Sequence, residues 1–182
     1  LKVAGAVDTV KWAVRGMYLP GDDDDTDTDY DSLLLPAAPA DAFPFYDAGM
    51  MIMLADVYGN TYFQNGLAYN DGLRAGYGMW GLAAKASTEM AGFHGQLGLG
   101  YFATTEDDQK VAGSKKEGKN LGTEINLRVG KKIADVVDIS LNGAAAFLGD
   151  FYDKTATDAD NGNTGKDPDT QYMAYLMVNV PY

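Results

Sequence analysis

The sequence predicts an all-β fold, an antiparallel transmembrane β-barrel, and three observations predict it. The last twelve residues, 171–182, place Tyr172, Ala174, Leu176, Val178, Val180 and Tyr182 on every second position. That is one continuous apolar strand face ending on an aromatic, and its length matches the roughly 9–11 residues a tilted strand needs to cross a bilayer. The same period-2 alternation recurs along most of the chain, separated by connections that are short and long by turns. Finally, no stretch approaches the roughly 18 consecutive apolar residues of a membrane helix, although 46% of residues are hydrophobic.

Residues 2–7 form a short apolar stretch that ends at Asp8-Thr9, which reads as a tight hairpin turn. Residues 10–18 then alternate, with Val10, Trp12, Val14, Gly16 and Tyr18 opposed to Lys11, Ala13, Arg15 and Met17. Pro20-Gly21 ends that strand. A long loop is expected over 21–72. It opens on Asp22–Asp29, too charged for a strand, and Pro36, Pro39 and Pro44 punctuate it. Residues 48–58 are apolar, Met-rich and not alternating, and Met, Leu and Ala favour a short helix there. Alternation resumes over 74–86 and 93–103, joined by residues 87–92. Residues 123–131 carry the cleanest pattern, Ile125, Leu127 and Val129 against Glu124, Asn126 and Arg128. A tight connection at 133–136 leads to a strand over 137–147, and a loop over 149–170 leads to the last strand.

The chain of 182 residues carries a net charge of −12, concentrated in 22–31, 106–108 and 150–169. Nucleic acid is an improbable partner for such a chain, because phosphate binding needs clustered Lys and Arg. If Tyr182 ends in the periplasm, the three short turns lie there too and every acidic loop lies outside. The expected location is the bacterial outer membrane, with lipid bilayer and lipopolysaccharide as surroundings. A water-soluble antiparallel protein also alternates, but its apolar face points inward.

Seven strands are counted, two before the long loop and five after it. Single-chain bacterial barrels have an even number, from 8 upward. The expectation is therefore that residues 1–182 form one partial barrel domain, part of a larger barrel of about 16 strands. Four segments carry a resemblance: residues 77–86 (Tyr-Gly-Met-Trp-Gly-Leu-Ala-Ala-Lys-Ala), 122–126, 147–151 and Asp167-Pro168-Asp169. Across most of 70–182 the chain resembles the C-terminal half of large outer-membrane porins of deltaproteobacterial-type Gram-negatives. The resemblance implies a porin for general or solute-selective diffusion, assembled as a homotrimer; an N-terminal half would be missing from this chain.

If the apolar faces meet lipid, the pore-lining residues are Lys11, Arg15, Arg74, His94, Gln96, Glu124, Asn126, Arg128, Asp138, Ser140 and Asn142. Rings of such charges set ion preference, and the cations among them would admit anions. The bland alternative is that they pair across strands and hold the wall together. The 21–72 loop offers a constriction, its run Met50–Leu54 finding burial in the lumen or against a neighbouring subunit. Asp25, Asp27, Asp29 and Asp31 alternate like the first ligands of a Ca²⁺ loop, but Tyr30 and Pro36 stand where such a loop has its Gly and bidentate Glu. A solvated acidic loop is the default, and no other cofactor is expected. Enzymatic readings have little to stand on: the single His, His94, would have to work with Ser87, Ser114 or Ser140, and there is no Cys. The main alternative to a pore is a small non-pore outer-membrane barrel with structural, adhesive or cation-binding loops.

Overall fold

The computed structural model describes residues 1–23, 49–54, 56–57, 60–61, 66–68, 76–107, 118–134, 136–153 and 170–180. Seven strands form one antiparallel sheet in which each strand pairs with the next strand of that sheet along the chain: β1 (Lys2–Val7), β2 (Val10–Leu19), β5 (Met79–Met90), β6 (Phe93–Ala103), β7 (Asn120–Ile133), β8 (Val137–Leu148) and β9 (Thr170–Asn179). Two-residue strands β3 (Asp56–Val57) and β4 (Asn60–Thr61) pair with each other apart from it. β1 and β9 are the two edges, so the sheet is open. No helix among the described residues is long and apolar enough to cross a membrane.

Short connections gather at one end of the sheet. Each is entered at a residue with positive φ: Asp8 (52°), Ala91 (52°) and Ala134 (51°). The β5–β6 connection differs from the sequence expectation. The strand runs on through Ser87, Thr88 and Glu89 to Met90, and only Ala91 and Gly92 turn. Both have positive φ, as a two-residue turn that follows the right-handed twist of its strands requires. Alanine rarely takes that conformation, which is why the sequence gives no sign of the turn there.

Strand pairing runs in register from edge to edge, so whole rows of side chains cross the sheet. One row reads Val3, Val14, Ala84, Leu99, Ile125, Ala145, Tyr172. On the other face a row reads Ala6, Lys11, Ser87, Gln96, Arg128, Asn142, Tyr175. Period-2 alternation has thus sorted the chain into an apolar and a polar face. Their burial is the reverse of a water-soluble sheet, which covers its apolar face. Leu127, Leu141 and Leu176 are 53%, 62% and 68% exposed, while Glu124 and Asn142 on the polar face are 0% exposed.

The polar face is covered at the long-connection end by the chain's own loops. Met50, Met53, Leu54, Ala68, Tyr77 and Phe151 pack there against Met79, Ala83, Phe102, Leu121 and Ala146. A 3-10 turn, Asp150–Tyr152, sets the Phe151 ring edge-on to Tyr77 at 5.2 Å. Residues 49–54 are not the expected helix, and 56–57 are extended. Their backbone groups have other partners: Ile52 and Met53 carbonyls accept from the Leu67 and Ala68 N–H groups, and the N–H groups of 51–53 go to a side chain of the sheet, described below.

Candidate functional site

The polar face carries two sets of functional side chains at different depths. The deeper set lies under residues 49–54. Glu124 of β7 takes three consecutive backbone N–H groups, with Met51 at 2.5 Å to Oε1 and Ile52 and Met53 at 3.0 and 2.7 Å to Oε2. Asn126 Nδ2 adds a fourth donor at 3.1 Å and also donates to the Gly49 carbonyl at 2.7 Å. Every partner of the carboxyl is a donor, the arrangement a carboxylate accepts through both oxygens. Gly98 and Gly100 of β6 make the room: a Cβ on either would stand 2.9 Å from Met50 Cε or 2.6 Å from Met50 Sδ. The segment is seated by one carboxylate, one amide and two missing side chains.

The second set lines an open cleft of about 650 Å³ at the short-turn end. Its walls hold Asp8, Thr9, Lys11, Ser87, Thr88, Glu89, His94, Gly95, Gln96, Arg128, Lys132 and Asp138. An ion pair stands in it, Lys132 to Glu89 at 2.9 Å, and beside it a hydrogen bond joins His94 Nε2 and Asp138 Oδ1 at 2.9 Å. That hydrogen bond spans a whole strand. His94 on β6 is paired in register with Gly130 of β7, and Asp138 lies on β8. A Cβ on Gly130 would stand 2.4 Å from the imidazole, so glycine there lets the ring lie across β7. Arg128 donates from Nε to Asn142 Oδ1 at 2.6 Å, and Asn142 Nδ2 in turn reaches Ser140 Oγ at 3.2 Å.

The residues expected to line a lumen therefore divide. Lys11, His94, Gln96, Arg128 and Asp138 meet around the cleft. Arg15, Glu124, Asn126, Ser140 and Asn142 are buried in or under the wall. Arg74 and the Asp25, Asp27, Asp29 and Asp31 tract lie outside the described residues, as does Tyr182. Among the described residues no group of three His, Asp or Glu side chains is placed to hold a metal ion. Sequence reasoning missed Asp8, Thr9, Thr88, Glu89 and Lys132 as cleft residues. Carrying the β5 alternation as far as Glu89 would have found part of the set. No protein-family model, curated protein or solved structure matches the chain.

Proposed function

We propose that the chain is part of the wall of an outer-membrane β-barrel, a porin that forms a water-filled channel for passive diffusion of small solutes and ions. The inverted sheet carries this reading. An apolar face exposed from β2 to β9, opposite a polar face with charged residues, costs a protein in water its main driving force. It is the arrangement expected where lipid stands outside and water inside. Tyr18, Trp80, Tyr101, Phe147 and Tyr172 lie on that apolar face near the long-connection end, as an interfacial aromatic belt would. Closure of the open sheet requires the β1 and β9 edges to be paired, since unpaired edges are not tolerated in hydrocarbon. On this reading residues 49–54 narrow the lumen at the long-connection end, and the cleft is the wider vestibule at the other.

Protein extracted in detergent and added to a planar bilayer should give stable conductance steps. A second reading, a barrel with a filled interior, draws on the Met50–Leu54 packing that covers part of the polar face. Insertion without steps would favour that filled barrel and end the porin reading.

A further inference from the structure

We propose that Lys131 and Phe93, at the short-turn end of the apolar face, form a binding site for the headgroup of an anionic phospholipid. Lys131 stands in the row Met90, Phe93, Lys131, Ile139, Val178. Among the described residues of the seven-stranded sheet it is the one charged residue at an apolar-face position. The register sets its depth. Lys131 lies eight residues along β7 from Thr123, the β7 member of the Tyr101–Phe147 row. At about 3.4 Å per residue that is about 27 Å of strand, and a tilt of about 40° leaves about 21 Å of height. The apolar band of a membrane barrel is about 25 Å tall. With the aromatic row at one edge of the band, Lys131 falls at the other, where headgroups stand.

The ammonium is held but not neutralised. Lys131 is exposed, and its Nζ lies 4.5 Å from the centroid of the Phe93 ring. The ring face positions the cation and leaves its N–H groups for an oxygen acceptor. Glu89 and Asp138, on the polar face at this end, are directed to Lys132 and His94 instead. Space for the rest of a lipid lies beside the pair. Gly95 is on the same face, two residues from Phe93 towards the middle of the band, and a Cβ there would meet nothing closer than the Arg128 carbonyl at 3.9 Å. The missing side chain leaves a notch between Phe93, Leu97 and Val129, each half exposed. A phosphate on Lys131 leads its acyl chain into that notch. A second copy of the apolar face would supply no anion here, whereas a phosphate does. A zwitterionic headgroup brings its own cation, so the site favours a headgroup with net negative charge.

This rests on the membrane reading, and the test separates the two. Trp12→Phe, Trp80→Phe and Phe93→Trp together leave one indole, placed at the site and still able to hold the ammonium. The protein is reconstituted in phosphatidylcholine vesicles with a minor component of phosphatidylglycerol brominated on its acyl chains. That lipid should quench the indole about 5-fold more strongly than brominated phosphatidylcholine at the same fraction, the ratio expected for one lysine at an anionic surface. Lys131→Gln should abolish the preference and Lys131→Arg should keep it. Lys131 is exposed, so neither change disturbs the fold. With Trp12→Phe alone, the remaining Trp80 at the far edge of the band should respond equally to the two lipids. Equal quenching at the site, a preference that survives Lys131→Gln, or a preference as large at Trp80 would overturn the site and leave the sheet in lipid. Absence of quenching by either lipid would overturn the membrane reading and the site with it.

Discussion

The imidazole of His94 crosses β7 above Gly130 and meets the carboxylate of Asp138 at 2.9 Å. Three strands are tied by one side chain, and the tie exists because the middle strand carries no Cβ at that point. Gly130→Ala should push the ring aside, since the added carbon would stand 2.4 Å from it. A double-mutant cycle of His94→Gln and Asp138→Asn, read by urea unfolding from lipid vesicles, should give a coupling of about 0.5–1 kcal/mol. In the Gly130→Ala background the coupling should vanish. Its persistence would show that the ring reaches Asp138 by another route.

Glu124 should hold residues 49–54 in place. Glu124→Gln keeps the size but sets an amide NH₂ against backbone donors, leaving at least one buried N–H unsatisfied at a cost of about 1–3 kcal/mol. The amides of Met51, Ile52 and Met53 should then lose protection from hydrogen exchange while the β6–β7 amides keep theirs. Unchanged protection at 51–53 would mean that Met50 and Leu54 packing alone seats the segment.

How far these features can be read from the sequence depends on what each residue needs to know. β6 is legible over 93–103 because every second residue contrasts with its neighbours. Ser87-Thr88-Glu89-Met90 lacks that contrast, and Ala91 takes a conformation usually left to Gly or Asn, so nothing local marks that the strand runs on to Met90. Glu124 and Asn126 alternate with Ile125 and Leu127, which makes their face legible. Their partners lie more than 70 residues earlier in the chain, and no local pattern encodes that. The helix expected over 48–58 fails for the same reason: propensity describes an isolated segment, whereas here a distant carboxylate takes the N–H groups. Gly98, Gly100 and Gly130 read only as small residues; the Met50 and His94 side chains that need their space come from elsewhere.

The β5–β6 turn offers a stabilising change. Ala91 at φ 52° sits where Asn or Gly is at home. Ala91→Asn should raise unfolding free energy by about 1 kcal/mol, a change visible as a later urea midpoint with unchanged slope. A loss of stability would place the strain elsewhere in the turn.

Charge on the two faces should have opposite consequences. Leu127 stands near the middle of β7 on the apolar face, and Leu127→Arg in a bilayer should cost about 2–4 kcal/mol. Gln96→Arg, on the polar face in the cleft wall, should cost less than about 1 kcal/mol and shift ion preference towards anions. Similar small costs at both positions would indicate that the Leu127 side chain faces water.

The most direct test uses the chain's own two tryptophans. Trp12 and Trp80 both lie on the apolar face, Trp12 over Gly5 near one end and Trp80 beside Tyr101 at 5.3 Å near the other. Reconstituted in vesicles whose acyl chains carry bromine, their fluorescence should be strongly quenched, with little response to acrylamide in the water. Strong acrylamide quenching with no effect of the brominated lipid would contradict the membrane-facing sheet on which the rest of the account depends.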